Sequence, residues 1–157
     1  MANDNKLKEA MVAYRTICSA LDARDWKYEK DEDKLLVHFG VNGDDIPMSF
    51  IIIADADRQL VRLLSPLPFE MSEEKRIEGA LATCAATWKM ADGSFDYDLS
   101  NGKIVFRMAA SFRESLIGKG LIDYLIDCAC AMVDKFNDQF LALNKGVISI
   151  SDFLEKD

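Results

Sequence analysis

Near the start of the chain the apolar residues Leu7, Met11, Tyr14, Cys18 and Leu21 recur at helical spacing, with Ala10, Ala13 and Ile17 widening the stripe. This predicts an amphipathic helix ending near Asp25. The period then changes to two. A short strand is expected over Trp26 to Lys30, and Leu35, Val37 and Phe39 alternate with Leu36 and His38 until Asn42-Gly43 signals a turn. Met48 to Ala54 and Gln59 to Ser65 read as two further strands, and Pro66 and Pro68, which lack N–H donors, are expected to break the sheet.

Ser72, followed by Glu73 and Glu74, suits a capped helix start, and Ile77, Ala80, Leu81, Cys84 and Trp88 supply the predicted buried stripe of a second helix. Phe95, Tyr97 and Leu99 alternate with Ser94, Asp96 and Asp98. A hairpin through Ser100-Asn101-Gly102 leads to a last strand with Ile104, Phe106 and Met108 inward. From Ser115 to Leu143 the chain reads as a long apolar helix, loosened at its start by Gly118 and Gly120 and stopped by Asn144-Lys145-Gly146. The order implies an α+β fold: a mainly antiparallel sheet of five to six strands packed with three helices. One domain spanning 1–157 is expected, with 146–157 as a tail that docks through Val147, Ile148, Ile150, Phe153 and Leu154.

The two central strands carry the most informative pattern. Pairing Ile52 with Val61 and Phe50 with Leu63 puts those four on one side of the sheet. Ile51, Ile53, Leu60 and Leu64 around Arg62 then fall on the other. Three helices on one face would leave this second face partly uncovered, as a candidate partner-binding surface, unless the tail or a helix of the same chain covers it.

The stretches "LDARDWKYEKDEDKLLVHFG" and "IPMSFIIIADADRQLVRLLSPLPFEMSEEKRIEGALATCAATWKMADGSFDYDLSNGKIVFRMA" resemble the YbjN-type domain, described as a bacterial sensory-transduction regulator. The resemblance runs from about Leu21 to Phe136. It rests on Trp26, the proline and acid residues from Pro68 to Glu74, Gly93-Ser94-Phe95, Asn101-Gly102 and Phe106-Arg107. Thr87 stands before Trp88 where the family often has an asparagine. The resemblance implies a fold like that of type III secretion chaperones, small acidic homodimers that hold extended segments of partner proteins. By that comparison the second helix, with Ile77, Leu81, Cys84 and Trp88, is a candidate dimer element; from the residues alone it is equally a core helix.

Composition narrows the partners. The 157 residues carry 27 acidic against 19 Lys plus Arg side chains, a formal charge of -8, which repels nucleic-acid phosphates. No window approaches a membrane span and no secretory leader is evident, so a cytoplasmic location without membrane insertion is expected. Cys18, Cys84, Cys128 and Cys130 lie in helix-like segments and read as reduced thiols; Cys128 and Cys130, two apart on a helix, point in different directions and cannot grip one zinc.

Asp55 and Asp57 could hold a divalent cation in a metal-dependent enzyme, yet two carboxylates in one turn leave most of a cation's shell unfilled, and aspartates are ordinary turn residues. His38 is the one histidine, and no Gly-x-Ser-x-Gly or Gly-x-x-x-x-Gly-Lys-Ser/Thr motif accompanies it. The expectation is a non-enzymatic, cofactor-free protein-binding module, homodimeric, chaperone-like or regulatory, with an unidentified protein partner. A metal-dependent enzyme built on Asp55 and Asp57, or a small-ligand-binding regulatory domain, is the alternative.

Overall fold

A computed structural model describes residues Ala2 to Glu155. Among them four helices, α1 (Ala2–Ala23), α2 (Arg76–Trp88), α3 (Lys119–Asn144) and α4 (Ile150–Glu155), accompany six strands. The strands are β1 (Glu29–Asp31), β2 (Leu36–Val41), β3 (Met48–Asp55), β4 (Leu60–Glu70), β5 (Ser94–Asp98) and β6 (Lys103–Ser111). They form one antiparallel sheet in the order β1-β2-β3-β4-β6-β5.

Period-two alternation sorts each strand into a core face and an open face. Val37, Phe39, Phe50, Ile52, Val61, Leu63, Phe95 and Phe106 join Ala10, Ile17 and Leu21 of α1 and Ile122, Ile126, Val133 and Phe140 of α3 in a single apolar cluster. All the helices therefore pack on the same side of the sheet. Arg24 ties α1 to α3: its Nε donates to Asp123 at 3.0 Å, its Nη2 to Asp127 at 2.8 Å, and its guanidinium lies 5.0 Å from the Trp26 ring.

The tail turns toward this core side as well. Ser149 and Asp152 cap α4 reciprocally, and Phe153 packs against Phe140, 5.2 Å between ring centroids, closing an aromatic cluster with Phe95 and Phe136.

Several expectations change. The pairing of β3 with β4 is two residues from the one predicted: Ile52 faces Leu63, and Ala54 faces Val61. The loop between them holds four residues, Ala56 to Gln59, because the Asp55 carboxylate accepts from the Arg58 N–H and Gln59 takes a left-handed φ of 55°. The Gln59 carbonyl accepts from Phe112 and its side chain donates to Glu9, which holds that backbone in place. A shift of two preserves the faces.

The prolines do not end β4, which continues to Glu70 with an irregular register between Pro66 and Glu70. Pairing with β3 stops at Leu64, so beyond it β4 is paired with β6 alone and a missing N–H is tolerated. Ser72 makes no side-chain cap; its own N–H is taken by Asn144, and a 3-10 turn, Glu73–Lys75, precedes α2. The long helix starts at Lys119 on Gly118 rather than at Ser115.

In α2 the predicted stripe is inverted. Ile77, Leu81, Cys84 and Trp88 are exposed, while Gly79, Ala82, Thr83 and Ala86 face inward. The helix lies close to its neighbours: a Cβ on Gly79 would stand 2.7 Å from the Tyr97 hydroxyl, so small residues must face the core. In α1 the expected stripe holds for Ala10, Ala13, Tyr14, Ile17 and Leu21, which are buried, but not for Leu7 and Met11, which are exposed.

Candidate functional site

The two aspartates of the β3–β4 turn are not brought together as a ligand pair. Asp55 is half-buried, and both its oxygens are engaged, Oδ1 by the Arg58 N–H and Oδ2 by Arg58 Nη1, each at 3.0 Å. Burial by itself raises the Asp55 carboxyl, but the hydrogen bonds from Arg58 and the charges of Arg58 and Arg62 outweigh it and hold the group below the usual carboxylate range. Asp57 is exposed, and its backbone carbonyl accepts from Lys6. No cluster of three or more His, Cys, Asp or Glu side chains able to hold a metal occurs among the described residues.

Two apolar surfaces outside the core hold the candidate residues. The first is the open face of the sheet, where register places the candidate residues in two adjoining rows. Leu36, Ile53, Arg62 and Ala109 lie in one, and His38, Ile51, Leu64 and Arg107 in the next. Leu60 precedes Arg62 on the same face of β4. Leu36, Ile51, Ile53, Leu60 and Leu64 are half-buried, and none of them belongs to the core cluster or packs on it. Asp96 neutralises Arg107 at 3.0 Å, whereas Arg62 reaches Asp55 only at 3.6 Å. His38 lies at the rim, 2.9 Å from the Ser49 hydroxyl.

The second surface is the outer ridge of α2. Ile77 is 75% exposed, Leu81 51% and Trp88 88%, with Cys84 exposed between them. Their spacing of four, three and four residues draws a narrow seam along one helix face. Beside it a groove of about 740 Å³ runs between α2 and β5, lined by Ala80, Cys84, Trp88, Tyr97 and Leu99 among others. Leu99, 63% exposed, extends the apolar surface past the end of β5.

By magnitude the two differ. Ile77, Leu81, Cys84, Trp88 and Leu99 together expose roughly 600 Å², at the top of what a monomer ordinarily shows in one patch. The open face exposes no more than about 400 Å² of aliphatic surface, within the ordinary range.

The sheet edges are poorly suited to accept a strand. β1 has three residues, Glu29, Lys30 and Asp31, two charged acids among them, and short charged edges discourage pairing. At the other edge the Phe95 N–H, which points away from β6, donates to Thr87 Oγ1 at 3.0 Å, so the end of α2 is latched onto β5. Sequence reasoning left Thr87 without a role; its short hydroxyl near the helix end is a residue type that bonds neighbouring backbone. The thiols offer little chemistry: burial pushes Cys130 up to about 11 and Cys128 in the same direction, keeping both protonated near neutrality.

Against known proteins, residues 14–142 match the family model described as "YbjN: Putative bacterial sensory transduction regulator". No curated protein matches the sequence significantly. Among solved structures the chain is similar to YbjN, a "putative transcription regulator" from E. coli, with 10% identity, 85% of this chain and 92% of that one covered, and a TM-score of 0.58. It is also similar to a chain of the HopA1–SchA chaperone–effector complex, at 11% identity, 83% and 94% coverage and a TM-score of 0.50. A protein of unknown function from Methanothermobacter thermautotrophicus aligns at 17% identity, over 86% and 98% of the two chains, with a TM-score of 0.50. At these identities the likeness is one of fold.

Proposed function

The chain belongs to the YbjN family, and from that premise we propose that it is a non-enzymatic, cytoplasmic, regulatory or chaperone-like module that pairs with a second copy of itself and holds a segment of a partner protein. The observation that carries this reading is the α2 ridge, where the largest apolar side chains of the helix point outward in a continuous seam. A core helix of a monomer would bury them, at about 1.5–3 kcal/mol for each large aliphatic side chain. With Leu99 the ridge approaches the roughly 800 Å² that each partner contributes to a standard interface. The open sheet face, smaller and separate, is then left for the partner segment. The likeness of fold to a chain of a chaperone–effector complex supports protein binding as the general role.

Light scattering on the purified chain at about ten micromolar, the range set by an interface of modest size, tests the pairing. The wild type should run as a dimer, and Leu81→Asp with Trp88→Ala as a monomer with an unchanged helix signal. A monomeric wild type would remove the ridge from its role and with it the homodimer.

A further inference from the structure

We propose that the open face takes one amphipathic helix of a partner protein, apolar along one stripe and carrying a single acidic side chain at its centre that pairs with Arg62. This rests on reading the open face as the partner-binding surface and adds the chemistry of the occupant.

The shape of the face selects a helix. It is a sheet surface four strands wide, β2, β3, β4 and β6. An extended peptide laid on it would press unpaired N–H and C=O groups against Ile51, Ile53 and Leu64, whereas a helix satisfies its own backbone. The edge alternative is weak, because β1 is short and charged and the Phe95 N–H at the other edge is taken by Thr87. A helix on a sheet face is also the ordinary way to complete a layered domain.

Arg62 selects the charge. It stands among Ile53, Leu60, Leu64 and Ala109 in the middle of the face, its side chain 28% exposed. Its one ionic partner among the described residues is Asp55 Oδ2 at 3.6 Å, beyond hydrogen-bond length, and that oxygen is already held by Arg58 at 3.0 Å. Most of its five guanidinium donors are thus left for an incoming element. Covering them with apolar groups would strand a charge; a carboxylate can take two of them at once.

Area and charge both disfavour a second copy here. About 400 Å² is half of what each side of a stable dimer needs, and a two-fold axis through the centre would set Arg62 against its own counterpart. The charge of -8 also weighs against an acidic tract in favour of a single carboxylate.

The test is selection of displayed helical peptides of about 15 residues, long enough to cross four strands, against the full chain. Selected binders should be amphipathic with Asp or Glu at one central position. Changing that residue to its amide should weaken binding about ten-fold; the amide should bind Arg62→Gln as well as its parent does, and Arg62→Glu should turn the preference to Lys. Ile51→Asp, which still melts cooperatively, should abolish binding. Binders that Ile51→Asp removes but that ignore residue 62 overturn the acidic partner while leaving the open face as the binding surface. Binders indifferent to Ile51→Asp, or a library that yields none, overturn the occupant and the surface together. A wild-type dimer that Ile51→Asp dissociates gives the face to a second copy and overturns the proposal.

Discussion

Replacing Gly79 with alanine sets two known effects against each other at one atom. Inside a helix the change ordinarily stabilises, by about 0.5–1 kcal/mol, because glycine loses more backbone freedom on folding. Here the added Cβ would lie 2.7 Å from the Tyr97 hydroxyl and 2.8 Å from Met71 Cγ, distances that real Cβ atoms do not adopt. Met71 is flexible but fully enclosed, and the Tyr97 hydroxyl is pinned by donating to the Arg76 carbonyl at 2.7 Å. Overpacking of this kind costs about 1–3 kcal/mol, so the clash should win with a net loss of about 1–2 kcal/mol. Urea unfolding followed by circular dichroism reads it as a lower midpoint at unchanged slope. Tyr97→Phe removes the hydroxyl, so in that background Gly79→Ala should cost about 1 kcal/mol less. A Gly79→Ala protein as stable as the wild type, or an equal cost in both backgrounds, would refute the account of how α2 is seated.

Arg24→Ala should destabilise by about 1–3 kcal/mol, since charge-assisted bonds to Asp123 and Asp127 and the stacking on Trp26 go together; a thermal melt within error of the wild type would refute the α1–α3 clamp. Phe153→Ala should cost about 3–5 kcal/mol in urea unfolding, because α4 is integral to the aromatic cluster, and a cost under about 1 kcal/mol would refute that role. Asp55→Ala should lower stability by about 1 kcal/mol through the turn, with or without magnesium or manganese in the buffer, and a metal-dependent rise in the wild-type melting temperature would revive the metal reading. Burial foremost, with Cys18 beside it, pushes Tyr14 up to about 12, and burial raises Tyr28 and Tyr97 as well. The neutral phenols therefore stabilise the fold below about pH 10, the unfolded value, and that contribution is lost as pH rises through the folded values. Spectrophotometric titration of the folded protein should show little tyrosinate near pH 10 where the urea-unfolded chain is about half ionised.

The faces of the central strands were legible because strand alternation has an even period: Phe50 and Ile52 fell inward, and Ile51 and Ile53 outward, although the register was two residues off. That error came from the loop, where a non-glycine residue, Gln59, takes a left-handed conformation held by contacts from Glu9 and Phe112 that are remote in sequence. The inversion of α2 has a different origin. Apolar periodicity marks a stripe but not which way it faces; the small residues Gly79, Ala82 and Ala86 carried the opposite signal, closeness to the core, and tertiary contacts alone decide between the two. Pro66 and Pro68 misled because their cost depends on whether the ladder needs their N–H, and pairing with β3 has stopped by then. The second apolar face was legible but not what covers it; the looseness of the Arg62 contact to Asp55 was not legible, since it depends on Arg58 claiming the carboxylate first.

The outward position of Trp88 gives the molecule an optical property of its own. Its two tryptophans sit in opposite surroundings: Trp26 packs against Phe39 and under Arg24, while Trp88 stands almost wholly in water. Indole emission shifts with local polarity, so the same spectrum carries one reporter of whether the chain is folded and another of whether α2 is occupied. Loss of either tryptophan separates the two, and the association state of the ridge can be followed without a label.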